Sequence, residues 1–432
     1  MSAVIETDWV ILGGGSAGMA SVLALSGQLC PPASPHGGIL ILDQADQASG
    51  SSSHNPGRLH GGFHYPDPDT AFSLQDLLIH NLAAHGDRII PHLALAGDDS
   101  LDTNWYAVLA DDDQGPHSIF PTGQTVATFE ALAQRWEDAS ARLPQLKALG
   151  DGPFAEWVLD ADDWFAPRTE RVARTLEPNL DVPSFLRALS EDALSPAGVD
   201  LITHDRVLSV TRLSGGGFEL LSRHAGDLVT IRARRLNISA WEATEQLLQP
   251  LGYQFDTLNR IKREFRVRLG PSAEGHPSAL TVYGPHAMIR NLHDGTGIVT
   301  AGHLSNVNTR RLPDTETTLR RLIRAAPHDR DSVSTEVLDH LRSYYPRLDV
   351  TEITDVEYGV VKVFSTSGMI DLSDSRSDHH VRRADGWSGQ LEPGLWVTWA
   401  MKLSSCLEAG EQFARSVASG APPPGNVRRV TG

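Results

Sequence analysis

The sequence predicts an α/β protein of two domains, one built on parallel strands and one of antiparallel sheet plus helices. Three observations predict it. A short apolar run, Asp8-Trp9-Val10-Ile11-Leu12, stops at a cluster of glycines, and a small-residue helical stretch and a second apolar run follow. Farther along, short β-like runs recur between turn signals. The length, 432 residues with 40% apolar and 21% charged, suffices for two or three domains of about 100–200 residues each at ordinary globular composition.

Taken in order, Asp8 to Leu12 is a buried parallel strand, because its apolar residues are continuous rather than alternating. Ser16 to Gly27 is a helix of small residues. A loop holding Pro31, Pro32, Pro35, Gly37 and Gly38 leads into a second buried strand, Ile39 to Leu42. Such strand–helix–strand units cross over right-handed. Gln44 to Pro68 is polar, rich in Ser, Gly and His, and too irregular for a regular element. Thr70 to His85 reads as a helix, 98–123 as acidic and turn-rich, and 124–148 as a helix with Leu132, Trp136, Leu143 and Leu146 on its apolar side. Short strands joined by Gly215-Gly216-Gly217 span Val199 to Thr230. A further strand, Ile231 to Ser239, enters a helix near Glu242 to Leu248. Between 260 and 305 β-like runs recur at Phe265–Leu269, Ala279–Tyr283 and Gly297–Ala301. Residues 315–343 are helical, and the last hundred return to strands before a closing helix from about Cys406. There is no internal repeat.

Charge and cysteine content narrow the function. Acidic residues outnumber basic ones 54 to 37, for a formal charge of -17. Nucleic acid and anionic membranes both select basic surfaces, so neither is an expected partner. Two cysteines, Cys30 and Cys406, exclude a disulfide framework and point to the cytoplasm. From Trp9 to Leu42 no charged side chain occurs, yet the stretch is neither a secretory signal nor an integral membrane segment. Acidic Glu6 and Asp8 precede it, the first basic residue is Arg58, and glycines and prolines interrupt it.

Gly13-Gly14-Gly15-Ser16-Ala17-Gly18 satisfies G-x-G-x-x-G between a strand and a helix, the context that gives the motif its meaning. Gly13 permits the tight turn, Gly15 lets a pyrophosphate approach the backbone, and Gly18 allows close helix–sheet packing. Phosphate charge then meets free N–H groups and the positive end of the helix dipole. Asp43 ends the second strand, where a carboxylate accepts from ribose hydroxyls. Its offset from the glycines exceeds the usual ~20 residues, and the Pro/Gly-rich insertion accounts for the excess. The first domain is therefore Rossmann-like, and FAD and NAD fit it equally.

The segment Ser49 to Tyr65 (SGSSSHNPGRLHGGFHY) separates the two. It resembles the flavin-contacting segment of D-amino-acid-oxidase-like FAD-dependent oxidoreductases, in particular the glycerol-3-phosphate dehydrogenase and L-2-hydroxyglutarate oxidase branch. Further anchors follow in family order. Leu201 to Val210 and then Arg235 to Trp241 are similar to the adenine-side strand and the strand before a small-residue turn. Tyr358-Gly359-Val360 and Ser375 to His379 resemble the glycerol-phosphate branch. Ala400-Met401-Lys402-Leu403-Ser404-Ser405 is similar to the closing Gly-Gly-Lys-Leu-Thr-Thr element.

The resemblance implies FAD as cofactor. Beyond the glycine loop and Asp43, it implies contacts from Ser51, Ser52, Ser53, Arg58, Leu59, His60, Val207, Ala240, Met401, Lys402, Leu403 and Ser404. It also implies a discontinuous FAD-binding domain (1–85, 178–248 and 355–432) beside a substrate-binding domain (86–177 and 249–354). Ser405 to Glu408 has the form of a capping box, so a helix starts there. Its N-terminus beside Lys402 suits the negative charge a reduced flavin gathers. Cys406 is either a buried helix residue or a covalent flavin attachment point.

The implied chemistry is oxidation of a CH–OH or CH–NH bond of a small molecule by hydride transfer to flavin N5, with oxygen or an electron carrier as acceptor. His60 and His64 are the natural bases, because imidazole titrates near working pH. At an even separation on an extended segment they point the same way, His60 beside the isoalloxazine and His64 toward substrate. The glycerol-phosphate branch carries Arg where His64 stands and another Arg at Val361, so glycerol 3-phosphate is disfavoured. Lys362 is displaced by one residue. It serves an anionic substrate or oxygen activation, or else is a solvated strand residue. Lys262, Arg263, Arg266, Arg268, Tyr283, His286 and Arg290 are further possible substrate anchors. No metal-ligand spacing and no Gly-x-Ser-x-Gly elbow occurs. A flavin-dependent monooxygenase or a non-catalytic flavin-binding protein are the alternatives.

Overall fold

The computed structural model describes residues 4–29, 37–46, 50–65, 67–96, 100–111, 120–158, 164–255, 257–273, 275–282, 287–308, 315–364, 386–400, 402–422 and 427–429. Two compact units divide the chain. One comprises Met1–Ser53, Pro183–Thr257 and Asp385–Gly432, the other His54–Val182 and Leu258–Ala384.

The first unit carries an eight-stranded sheet. Five strands run parallel, in the order Leu395–Ala400, Asp227–Ile238, Val4–Leu12, Ile39–Leu42 and Val199–Ile202. Gly386–Glu392 adds antiparallel at one edge, and Phe218–His224 and Asp205–Arg212 extend from Asp227–Ile238. Trp9 to Leu12 and Ile39 to Leu42 are buried throughout, as two-sided coverage of a parallel sheet requires. Register matters here. Leu12 pairs with both Leu42 and Ile238, so three strands end at one level. The helix Ser16–Leu25 packs on the closing helix Cys406–Ser419 so tightly that a Cβ on Gly410 would lie 2.6 Å from the Ala20 carbonyl oxygen. Trp9, Trp396 and Phe413 cluster beneath them.

A nine-stranded sheet forms the second unit. Its order is Asn306–Asn308, Thr257–Leu269, Thr296–Ala301, Ala287–Asn291, Ser278–Val282, Thr103–Leu109, Thr169–Pro178 and Ala155–Val158, with Val350–Phe364 also paired to Thr257–Leu269. Its described pairings are antiparallel except that of Ser278–Val282 with Thr103–Leu109. Helices Pro68–Ile89 and Thr122–Ser140 pack together over an aromatic core in which Trp136 stacks on Phe154 at 4.0 Å. Among the described residues no helix is long and apolar enough to cross a membrane.

Four expectations change. The helix expected over 124–148 stops at Ser140 and resumes as a 3-10 helix, Pro144–Leu149. Pro144 lacks an N–H and pushes Leu143 out of the helical region, to φ -123° and ψ 90°. The strand expected from Ile231 begins at Asp227 and continues as one. A helix that periodicity shows but was not expected, Val182–Leu194, buries Phe185, Leu186, Leu189 and Ala193 on one face. Finally, residues 54–85 and 355–364 belong to the second unit rather than to the first. Leu59 N–H donates to the Pro178 carbonyl, Leu180 N–H to that of Gly57, and Val350–Phe364 is a strand of the second sheet.

Candidate active site

In the first unit the site grows from the shared level at which three strands end. Gly13 follows Leu12 with φ +102°, a conformation that L side chains rarely adopt. A Cβ there would lie 2.5 Å from the Ser239 carbonyl oxygen, and one on Gly18 would collide with the Gly13 carbonyl oxygen. The glycines therefore let strand, turn and helix close up. Gly15 caps the helix Ser16–Leu25, whose first turn has no acidic residue and no side-chain cap. Asp43, at the end of the neighbouring strand, accepts from Gly14 N–H at 2.6 Å and Ala45 N–H at 2.9 Å. Burial pushes its carboxyl pKa up, against the lowering pull of those donors. Ser52 folds over the turn and its Oγ accepts from Ser16 N–H at 3.2 Å, within reach of Ser16 Oγ. Ser53, one residue on, closes its own turn onto the Gly50 carbonyl.

These residues fit a dinucleotide. A Cβ on Gly15 would enter the space under Ser52 Oγ, at 3.2 Å, where a pyrophosphate must approach the main chain. The positive end of a ten-residue helix opens at that turn, and its own first turn carries no acidic residue. Ligands of open α/β sheets bind at the carboxyl ends of the strands, and Asp43 lies at one such end. Val207, half-buried on Asp205–Arg212, and Ala240, which follows Ser239, belong to the same unit.

The closing helix starts at Cys406, as expected, but not through the expected box. Ser405 makes no cap to it. Its Oγ instead accepts from Lys402 N–H at 3.1 Å and donates to the Lys402 carbonyl at 2.9 Å, pinning the preceding 3-10 turn Leu403–Ser405. Leu403 and Ser404 are buried in that turn. Met401 lies outside the described residues. Cys406 is buried and its thiol pKa is pushed up to about 12, so it is no thiolate.

In the second unit the segment that bears the histidines is stapled down. Arg58 bridges to Asn179, and its buried guanidinium donates from Nη2 to the Ile289 carbonyl at 3.0 Å. Burial lowers its pKa to about 10, opposed by the charges of Glu177, Tyr345, Asp102 and Glu264. Arg290, also buried, donates to the carbonyls of Pro56 and Leu180. Leu59 is buried, and the Gly61 N–H donates to Glu177, a wholly buried carboxylate that Tyr106 also donates to. His60 and His64 do come together, with ring centroids 5.5 Å apart. The reason differs from the expected one. A turn, closed by Tyr65 N–H on the Gly62 carbonyl, folds the segment back where an extended strand was expected.

Lys362 is 3% exposed and donates to Asn259 Oδ1 at 3.0 Å, so the solvated-strand alternative is overturned. It shares the buried face of Val350–Phe364 with Tyr358 and Val360. Of the other anchors, Lys262 pairs with Glu264, Arg266 doubly with Glu357 and Arg268 with Glu352, while Arg263 donates to the Leu304 carbonyl. Tyr283, His286 and the run from Ser375 to His379 lie outside the described residues. Glu177 and Tyr106 were missed. The signal available was the polar alternation Thr175, Glu177, Asn179 at the end of a strand, where inward positions should be apolar.

A family model described as FAD dependent oxidoreductase matches residues 8–401. Solved structures share the fold along almost the entire chain. NikD, an unusual amino acid oxidase essential for nikkomycin biosynthesis, superposes in its open form with a TM-score of 0.64 at 15% identity, covering 96% of this chain and 95% of that one. Glycine oxidase from Geobacillus kaustophilus gives 0.59 at 15%, covering 96% and 94%. L-alpha-glycerophosphate oxidase from Mycoplasma pneumoniae with FAD bound gives 0.57 at 14%, covering 96% and 94%. No curated protein matches by sequence.

Proposed function

The chain belongs to the FAD-dependent oxidoreductase family, and from that membership we propose that it oxidises a CH–OH or CH–NH bond of a small molecule by hydride transfer to flavin N5. The observation that carries this reading is the glycine turn that opens the helix Ser16–Leu25, with Ser52 and Asp43 beside it. Bound FAD supplies the two-electron acceptor. Gly13, Gly15, Ser16, Ala17, Gly18 and Ser52 hold its phosphates, and Asp43 its ribose. Val207 and Ala240 serve the adenine side, and Ser51, Ser53, Arg58 and Leu59 fix the segment that reaches the ring. Lys402, with Met401, Leu403 and Ser404 around it, offers positive charge to the ring edge that gains electrons.

His64 removes the substrate proton, His60 lies beside the ring, and Lys362 serves an anionic group or the reoxidation step. Its burial with Asn259 supports that role, since a buried lysine needs a reason to stay. Oxidases of amino acids and of glycerophosphate are among the similar folds, and the two bond classes cover both. Oxygen or an electron carrier takes the electrons. The acidic charge and the scarcity of cysteine support a cytoplasmic setting without nucleic acid.

The test is an anaerobic screen of hydroxy acids, amino acids and polyols for loss of the yellow flavin absorbance, after confirming that denaturation releases FAD. At least one class should bleach the protein. His64→Ala should slow that bleaching at least 100-fold, within the range general-base removal typically costs. If no candidate reduced the flavin, or if His64→Ala bleached at the original rate, this reading would fail.

A further inference from the structure

His60 and His64 lie close enough for their charges to compete. Two imidazolium ions with ring centroids 5.5 Å apart repel, so the pair binds its first proton far more readily than its second. Their surroundings differ. Glu177 Oε1 stands 4.0 Å from His60 Nδ1, and the carboxylate is buried and cannot swing away. Gly61 N–H and the Tyr106 hydroxyl donate to its two oxygens. Its own main chain is held by Thr175 Oγ1 and by the Asn104 side chain.

We infer that Glu177 decides which histidine is charged: His60 takes the proton, with Nδ1–H toward the carboxylate, and His64 stays neutral and able to accept one. This deepens the proposed function and rests on its assignment of His64 to the substrate side. Glu177 is a positioning residue in this scheme, because it acts through His60 and His64 rather than on substrate. Separating two like groups by environment in this way is how a site assigns acid and base roles. Among the described residues, groups facing the pair include Tyr65, edge-on to both rings, Tyr106 on the carboxylate, and Arg58, whose charge is coupled to Glu177.

The experiment is a titration of the FAD-loaded protein labelled with 15N-histidine, over roughly pH 5 to 8, where unperturbed imidazole changes charge. His60→Gln and His64→Gln assign the two signals. His60 should take up its proton first, at least half a pH unit above His64. In Glu177→Gln that order should vanish or reverse, and the acid limb of kcat/KM should move up. Tyr106→Phe removes a donor but leaves the carboxylate, so the preference for His60 should strengthen. Loosened packing alone would not move the two variants in opposite directions. The same order in wild type and Glu177→Gln, or His64 charging first in wild type, would overturn the inference. Should Glu177→Gln not fold, an unchanged His60 titration in Tyr106→Phe would also overturn it. If the order follows Glu177 but His64→Gln reduces flavin normally, the inference stands and the role given to His64 falls.

Discussion

Gly13→Ala probes the turn on which cofactor binding depends, and its cost can be worked from the geometry. Residue 13 sits at φ +102°, and a left-handed backbone costs an L residue about 1–2 kcal/mol. The added methyl would lie 2.5 Å from the Ser239 carbonyl oxygen and 2.9 Å from its carbon. Both are backbone atoms of the residue that follows the strand Asp227–Ile238, held by the Ser239 N–H on the Leu12 carbonyl, so neither yields as a side chain would. Overpacking of this kind adds about 1–3 kcal/mol, for a total of about 2–5 kcal/mol. In calorimetry that corresponds to a fall in Tm of several degrees. If the turn relaxes by tilting its amides instead, the loss emerges as FAD affinity, tenfold for each ~1.4 kcal/mol. Gly50→Ala is the control, since a Cβ there meets nothing within 4 Å, and it should stay within about 0.5 kcal/mol. A Gly13→Ala protein with the Tm and the FAD content of that control would refute the role given to the turn.

Lys362→Met should leave the fold intact, because a methionine fills similar volume and removes a buried charge, yet slow reoxidation or raise KM for an anionic substrate at least tenfold. Unchanged half-reactions would remove Lys362 from the site. Acid should destabilise the protein in two windows. His276, buried and desolvated, has its pKa lowered from 6.5 to about 4. The unfolded chain therefore binds the extra proton, and stability falls as pH drops from 6.5 to 4. Burial alone would raise Glu357, but hydrogen bonds from His54 and Arg266 bring it to about 2 from 4.5, so its contribution is lost between pH 4.5 and 2. Urea titrations at stepped pH should show the first window disappear in His276→Phe, and persistence of that slope would refute the assignment. Cys406, with its thiol at about 12 and no exposed surface to speak of, should resist iodoacetamide in the native state, and denatured protein should release FAD intact. Flavin retained on a peptide containing Cys406 would contradict this.

The elements that the sequence made legible are those whose signals are local. The glycine turn between Trp9–Leu12 and Ser16–Leu25, the long helix Thr315–Arg342 and the closing helix from Cys406 all stand where periodicity and breakers put them. Local signals also failed in instructive ways. Ser405 and Glu408 have capping-box spacing, but the serine hydroxyl found Lys402 first. His60 and His64 met through a turn, because glycines at 61 and 62 let the chain reverse, Gly62 at φ +106°. Nothing nearby in sequence announced that the segment carrying Arg58 and Leu59 would pair with Pro178 to Leu180 and so join the second unit.

What the sequence determined by itself is a dinucleotide cradle: apolar runs, three glycines and an acid whose spacing limits the backbone to a strand, a turn and a helix whichever neighbours arrive. Only the tertiary structure decided which polar groups are buried together. Gly61 and Glu177 are 116 residues apart and Lys362 and Asn259 are 103 apart. A hydrogen bond across such a separation leaves no periodic trace in either partner. It exists because strand register carries both groups out of water to one place, where each must be satisfied by the other.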